Sequence, residues 1–341
     1  MKNTMLASYL IGPGLIELRE ITIPKPSHGE ITIKIKAALT CGTDLKAYLR
    51  GHPMIPMPGV FGHEFSGIVA EVGKGVKKFK EGDEVMAVHS APCLNCPYCK
   101  KRLHNLCENI MNTKVLGAFA EYILLPKHIV KQNVFLKPSS LSFEEAAFLE
   151  PLSCVVHGIN GLNIKKGDKV LIIGTGPIGL LHLLILKLKG ALLMISGLEQ
   201  NRLDIAKELG ADISVHPSEL SETVKKFTNG LGVDFVFECT GQLDVWEESI
   251  YYVRQGGYVI LFGGVKKDTK VSFDTYRLHY NEITIKGVFH YTPKDVRIAY
   301  KLMKDKINVS SLISRKYPLK DLPIAFERLS KGDGIKYAII P

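Results

Sequence analysis

Four cysteines crowd into a short stretch as Cys93-x2-Cys96-x2-Cys99-x7-Cys107. Thiolates this close can complete a tetrahedral all-sulfur zinc site, and such a closed site is structural because no coordination position is left for a substrate. Their lobe, from Ala91 to about Thr113, is poor in large apolar residues and needs the metal to order it. Nearer the start, Cys41-Gly42-Thr43-Asp44 and Gly62-His63-Glu64 offer a second set of donors. A catalytic zinc takes three protein ligands and keeps a fourth position open. Spacing alone leaves Cys41 and His63 undecided, since a free cysteine also serves as a small buried hydrophobe. Glu150, among apolar residues and just before Pro151, presents a similar choice. It is either a buried carboxylate that needs a partner charge or metal, or the exposed end of a helix.

A third cluster is Gly174-Thr175-Gly176-Pro177-Ile178-Gly179. The apolar run Val170–Ile173 before it suits a strand buried on both faces, and Leu180–Leu188 after it reads as a helix. In this strand–turn–helix order Gly174 permits the tight turn, Gly176 admits a pyrophosphate to the backbone, and Gly179 lets helix and strand pack closely. Free N–H groups and partial positive charge at the helix start then favour phosphate. The whole turn, Pro177 and Ile178 included, is assigned to a dinucleotide.

The elements that must position these groups fall into two patterns. Residues 1–148 are rich in short strands and turns. Ile31–Ala37 alternates apolar and polar, and further strands are expected within Gly67–Val72 and Glu84–Val88. From 149 to 287 the pattern is repeated βα. Strands are predicted at Val170–Ile173, Leu192–Ser196, Ile213–Val215, Phe235–Cys239, Tyr258–Phe262 and Ile283–Val288. Helices are predicted at Ile178–Lys189, Gln200–Leu209, Glu219–Phe227 and Leu243–Val253. In an open parallel sheet the ligand lies beyond the carboxyl ends of the strands, so Thr240 and Gly263 should border the nucleotide. The tail, 288–341, is too short to fold alone and is expected to rejoin the first domain.

Composition narrows the function classes. The 341 residues, 46% hydrophobic and 23% charged, are ordinary for globular chains, and no apolar run approaches the length of a membrane span. No signal peptide is read at the start. The formal charge of +10 is scattered rather than concentrated in a basic block, which argues against nucleic acid as a partner. An odd total of seven cysteines, four of them clustered, reads as metal binding in a reducing cytoplasm rather than a disulfide framework.

Taken together and in order, CGTDL at 41–45, GHEFSG at 62–67, the four-cysteine lobe, FAEY at 119–122, EPLSCVVHG at 150–158 and GTGPIG at 174–179 resemble the zinc-containing medium-chain alcohol and polyol dehydrogenases, near their sorbitol and threonine dehydrogenase branch. The resemblance implies an α/β fold: a GroES-like β-rich catalytic domain plus a doubly wound, parallel-sheet Rossmann domain. It implies Cys41, His63 and Glu150 as catalytic zinc ligands, with Glu64 as an adjacent or exchangeable carboxylate. Cys93, Cys96, Cys99 and Cys107 would hold a structural zinc. Zinc would lower the pKa of an alcohol, Thr43 would relay its proton, and hydride would pass to NAD or NADP. A homotetramer or homodimer is implied as well.

Two positions depart from the family pattern. Gly197 stands where NAD-dependent members carry an aspartate for the ribose hydroxyls, which admits NADP, yet Glu199 would repel a 2′-phosphate and Arg202 could pair with one. The choice between NAD and NADP stays open. In Phe289-His290-Tyr291 a histidine replaces the arginine of sorbitol dehydrogenases, so Tyr291 keeps a substrate-contacting role while sorbitol itself is disfavoured. The expected activity is oxidation of a secondary alcohol: a polyol, sugar alcohol or cyclitol. The alternatives are an L-threonine 3-dehydrogenase-like activity and a nonenzymatic nucleotide-binding regulator.

Overall fold

The alternating stretch that starts at Ile31 forms the strand Ile31–Leu39 in the computed structural model, which describes residues 3–341. Ile31, Ile33 and Ile35 are buried while Lys34 and Lys36 are exposed, as a period of two requires. This strand is central to a seven-stranded sheet. The path runs Ile313–Pro318, Lys336–Ile340, Ile31–Leu39, Glu64–Val72, Glu84–Val88 and Val134–Leu136, and Tyr122–Leu125 pairs with Ile31–Leu39. A smaller sheet orders Leu15–Thr22, Thr4–Gly12 and Gly59–Val60. The rings of Phe61, Phe119 and Phe326 meet in the core at centroid distances of 5.0, 5.9 and 6.0 Å. Their edge-to-face and offset contacts add to the area they bury.

The chain divides into two compact units, Met1–Cys154 with Tyr291–Pro341, and Val155–His290. This division differs from the expected boundaries at 148 and 287. The first half of the helix Leu149–Ile159 stays with the first unit because Glu150 and Cys154 are engaged there. At the other end Val288 donates to Leu261 O and so remains with the second.

In the second unit six parallel strands lie in the order Ile213–Val215, Leu192–Ser196, Lys169–Ile173, Val233–Glu238, Val253–Leu261 and Thr284–Gly287. In chain order this is 3-2-1-4-5-6, with the reversal between Lys169–Ile173 and Val233–Glu238, the place where such sheets bind nucleotides. The fifth strand starts at Val253, five residues before the predicted Tyr258. Gly256-Gly257 reads as a turn in the sequence, but Val253 pairs with Val233 across an irregularity in register. Among the described residues no helix is long and apolar enough to cross a membrane.

Candidate metal centre and dinucleotide turn

The first cluster is assembled by a helix start and three strands. Cys41 caps the helix Gly42–Arg50, its Sγ accepting from Thr43 N at 3.5 Å, and Asp44 in the first turn complements the helix dipole. Gly62 has φ +86°, and a Cβ there would come within 2.7 Å of the Phe119 ring, so only glycine delivers His63 at this turn. Glu64 pairs with Leu39 and Val88 in the sheet, which sets it beside the Thr40–Cys41 segment. The ligand atoms of Cys41, His63 and Glu64 all lie within 4.8 Å of one another.

Buried partners hold this group. Asp44 Oδ1 lies 3.2 Å from His63 Nδ1, which leaves the other ring nitrogen for a metal. Burial opposes charge on His63, but Asp44 and Cys41 outweigh it and raise its pKa well above the ordinary value. Lys336 Nζ donates to Glu64 Oε2 at 2.5 Å and to Thr40 O at 2.7 Å. Burial also works against the Lys336 charge, yet Glu64 and Cys41 prevail and raise its pKa. Glu64 Oε1 is buried with no hydrogen-bond partner among the described residues. A bare carboxylate oxygen next to a thiol and an imidazole is a donor set suited to zinc.

Glu150 lies beside this triad and is only 5% exposed, so the helix-end alternative is ruled out. Its Oε1 is 3.5 Å from His89 Nδ1 and 3.8 Å from Cys154 Sγ. Burial raises its pKa to about 7, with Glu64 and Asp44 adding to the shift and His63 opposing it. Tyr291 is buried, its OH 3.0 Å from Ser90 Oγ and 3.3 Å from His89 Nδ1. Thr43 is half-buried in the first turn after Cys41. Asp44, His89, Cys154 and Lys336 were not singled out as site residues in the sequence. Asp44 stood within the quoted CGTDL motif, whereas Lys336 carries no local signal.

The sulfur atoms of Cys93, Cys96, Cys99 and Cys107 also lie within 4.8 Å of one another. The N–H groups of Asn95 and Cys96 point at Cys93 Sγ from 3.5 and 3.4 Å and hold its pKa down at about 6, favouring the thiolate that binds metal. Cys96, Cys99 and Cys107 pack with Ile110 in a cluster of their own.

In the second unit each glycine of the turn has its own setting. Gly174 has φ +115°, and a Cβ on Gly179 would sit 1.9 Å from Gly174 O, so helix and strand meet there backbone to backbone. A Cβ on Gly176 would meet nothing within 4 Å. The protein's own packing does not demand glycine at 176, whereas close approach of a pyrophosphate to that backbone would. Pro177 and Ile178 open the helix Pro177–Leu188 behind it. Across the reversal, Glu238 Oε1 accepts from Thr240 N, Thr240 Oγ1 and Gly241 N, which fixes the turn at Thr240. A Cβ on Gly263 would come within 2.1 Å of Gly241 N. At the second strand a Cβ on Gly197 would be 2.1 Å from Thr175 Oγ1, so Thr175 fills the space an aspartate there would need. Arg202 Nη1 is 3.6 Å from Glu199 Oε2, and its side chain is only 14% exposed.

Residues 27–134 match the alcohol dehydrogenase GroES-like domain, and residues 177–305 match the zinc-binding dehydrogenase domain. The chain belongs to the zinc-binding alcohol dehydrogenase family. It is 33% identical to a D-arabitol-phosphate dehydrogenase of Enterococcus avium, covering 99% of this chain and 98% of that one. It is 34% identical to the sorbitol dehydrogenase of Homo sapiens over 98% and 95%. A zinc-binding dehydrogenase from Sinorhizobium meliloti, solved bound to NADP, superposes with a TM-score of 0.90 at 31% identity and full coverage of both chains. As a member of this family the protein is a zinc-dependent oxidoreductase of the CH–OH group that uses a nicotinamide dinucleotide and a small-molecule alcohol.

Proposed function

We propose that the protein oxidises a secondary hydroxyl of a polyol, with Cys41, His63 and Glu150 holding the catalytic zinc, Glu64 as its exchangeable carboxylate, and the four-cysteine lobe holding a structural zinc. The observation that carries this reading is the compact triad of Cys41, His63 and Glu64, in which Glu64 Oε1 is buried without a partner among the described residues. The relatives' names divide between free polyols and a polyol phosphate. Zinc supplies Lewis acidity that lowers the pKa of the alcohol, and the dinucleotide supplies the hydride acceptor.

The chain's own residues do the rest. Thr43 Oγ1, in the first turn of the helix capped by Cys41, relays the hydroxyl proton, accepting it as it passes its own on towards solvent. Asp44 fixes the His63 tautomer, and Lys336 pins one oxygen of Glu64 so that only the other is free to move. Tyr291 OH, oriented by Ser90 and His89, contacts the polyol. Gly174, Gly176, Pro177, Ile178 and Gly179 receive the pyrophosphate, while Thr240 and Gly263 border the nicotinamide half. Gly197, Glu199 and Arg202 face the adenosine ribose. The chain works as a homotetramer or homodimer, as the family resemblance implies, and its odd number of cysteines, four of them clustered as metal ligands, fits a reducing cytoplasm.

Metal content and hydride transfer to NAD and NADP across polyols, cyclitols and L-threonine test this reading. It expects two zincs per chain and a polyol substrate. One zinc per chain with no turnover would favour the regulatory alternative.

A further inference from the structure

Glu238 closes the strand Val233–Glu238, paired with Ile173 on one side and Leu261 on the other. It therefore stands at the carboxyl end of the sheet, across the strand-order reversal from the glycine turn. Its side chain is fully buried. Oε1 accepts from Thr240 N at 2.5 Å, from Gly241 N at 3.0 Å and from Thr240 Oγ1. Oε2 is buried with no hydrogen-bond partner among the described residues. A Cβ on Gly263 would lie 2.7 Å from that oxygen, so Oε2 sits directly against the Gly263 backbone.

These contacts leave the carboxylate charged and without a cation. A carboxylate only accepts hydrogen bonds, and Oε1 accepts three; an acid would need an acceptor for its proton, and Oε2 faces none. The three donors are neutral, and among the described residues no Lys, Arg or His forms an ion pair with Glu238. A buried anion of this kind is unfavourable unless a positive group arrives beside it. Its position says which group that is. The turn after the first strand takes the pyrophosphate and the end of the second faces the adenosine ribose, so the first three strands serve one mononucleotide half. The fourth strand, which Glu238 ends, begins the half left for the nicotinamide. That ring is a cation when oxidised and neutral when reduced.

We propose that Glu238 selects the oxidation state of the dinucleotide: its uncompensated carboxylate, at the end of the fourth strand, attracts the oxidised, cationic nicotinamide and gives nothing to the reduced, neutral ring. The inference rests on the placement of the nicotinamide half at Thr240 and Gly263. Holding the turn does not by itself call for a charge. The donors of Thr240 and Gly241 need an acceptor oxygen, which a neutral amide of the same shape also offers. The second, unpaired oxygen is what the turn leaves unexplained. When both forms of the cofactor are present, the charge raises the share of sites that hold the hydride acceptor and loosens the reduced product.

The test measures Kd on the zinc-loaded protein for the oxidised and reduced forms of NAD and of NADP, and for ADP-ribose. Fluorescence titration reads the reduced forms, and calorimetry reads the others. Glu238→Gln keeps an acceptor for Thr240 and Gly241 and removes the charge. Glu238→Asp keeps the charge and shortens the reach to the turn. Glu238→Gln should weaken the oxidised form by about tenfold relative to the reduced form, the scale of one unit charge acting across roughly 10 Å at an effective dielectric of about 20. ADP-ribose, which lacks the nicotinamide, should follow the reduced form. Glu238→Asp should weaken all of these ligands alike and leave the oxidised-to-reduced ratio near that of wild type. Equal weakening of both oxidation states in Glu238→Gln would make Glu238 a support of the turn alone and overturn the proposal. Should that variant fail to fold, a tenfold change of the ratio in Glu238→Asp would overturn it equally. ADP-ribose weakened as much as the oxidised form would overturn the nicotinamide placement, and a wild type that binds no dinucleotide would overturn the cofactor reading itself.

Discussion

The two units build their sites by opposite means. In the first, Asp44, Glu64, Glu150 and Lys336 are charged side chains at most 5% exposed, each held by a partner from a distant part of the chain. In the second, the turn is mostly backbone: Gly179 lies against Gly174 O, Gly197 lies against Thr175, and N–H groups of Thr240 and Gly241 satisfy Glu238. The first site should therefore fail by subtraction, when one partner is removed. The second should fail by addition, when a single methyl is inserted.

The largest effect belongs to the metal centre. Cys41→Ser or His63→Ala should lower turnover by at least about 10^4-fold, the scale of losing Lewis-acid assistance, and should remove one of two zincs. Cys96→Ser should remove the other zinc and loosen the lobe. If either centre's variant emptied both sites, the two clusters would not be independent. Next is Lys336→Met, which leaves Glu64 buried without its cation and should cost about 3–5 kcal/mol in urea unfolding. Adding Glu64→Gln should recover much of that loss. A single variant as stable as wild type would mean that the buried pair contributes nothing to the fold.

The second unit answers to a smaller change. Gly179→Ala puts a methyl 1.9 Å from Gly174 O, and neither backbone can yield cheaply. A loss of about 3 kcal/mol is expected, at the upper end for overpacking. Gly176→Ala meets nothing within 4 Å, so stability should hold to within about 0.5 kcal/mol. Its dinucleotide affinity, followed by fluorescence titration with NADH and NADPH, should nevertheless fall. If both variants lost stability alike, Gly176 would be an ordinary packing glycine.

What the sequence disclosed follows the same division. The parallel strands and the glycine turn were legible because their signals are local: buried apolar runs, glycines at fixed offsets, a helix directly after. The cysteine lobe was legible for the same reason. Lys336 was not, because it lies 272 residues from Glu64 and meets it only through the pairing of Lys336–Ile340 with Ile31–Leu39. Glu150 read equally well as exposed or buried until His89, from another strand end, was seen to face it. The missing carboxylate at Gly197 was visible, but not that Thr175, between the first two glycines of the turn, occupies its place. Contacts within a turn can be read from spacing, whereas contacts made by sheet register need the fold.

The smallest expected effect asks whether the second unit tolerates a buried cation as the first does. His182 is fully buried on the helix Pro177–Leu188, its ring 4.8 Å from that of Phe237 and 4.9 Å from that of Phe262. Its Nδ1 is 2.9 Å from Ile178 O. Burial lowers its pKa from 6.5 to about 4, despite that hydrogen bond, and no carboxylate compensates as Asp44 does for His63. The unfolded chain therefore binds a proton here between about pH 6.5 and pH 4 while the folded chain does not, so stability must fall as pH falls through that window. Between pH 7 and pH 5 the loss from this residue should be on the order of 2 kcal/mol. His182→Leu should flatten that part of the acid limb and change little at pH 8, read as Tm against pH. An acid limb identical in the two proteins would mean that His182 already carries its proton in the fold, and that the second unit, too, can shelter a buried cation.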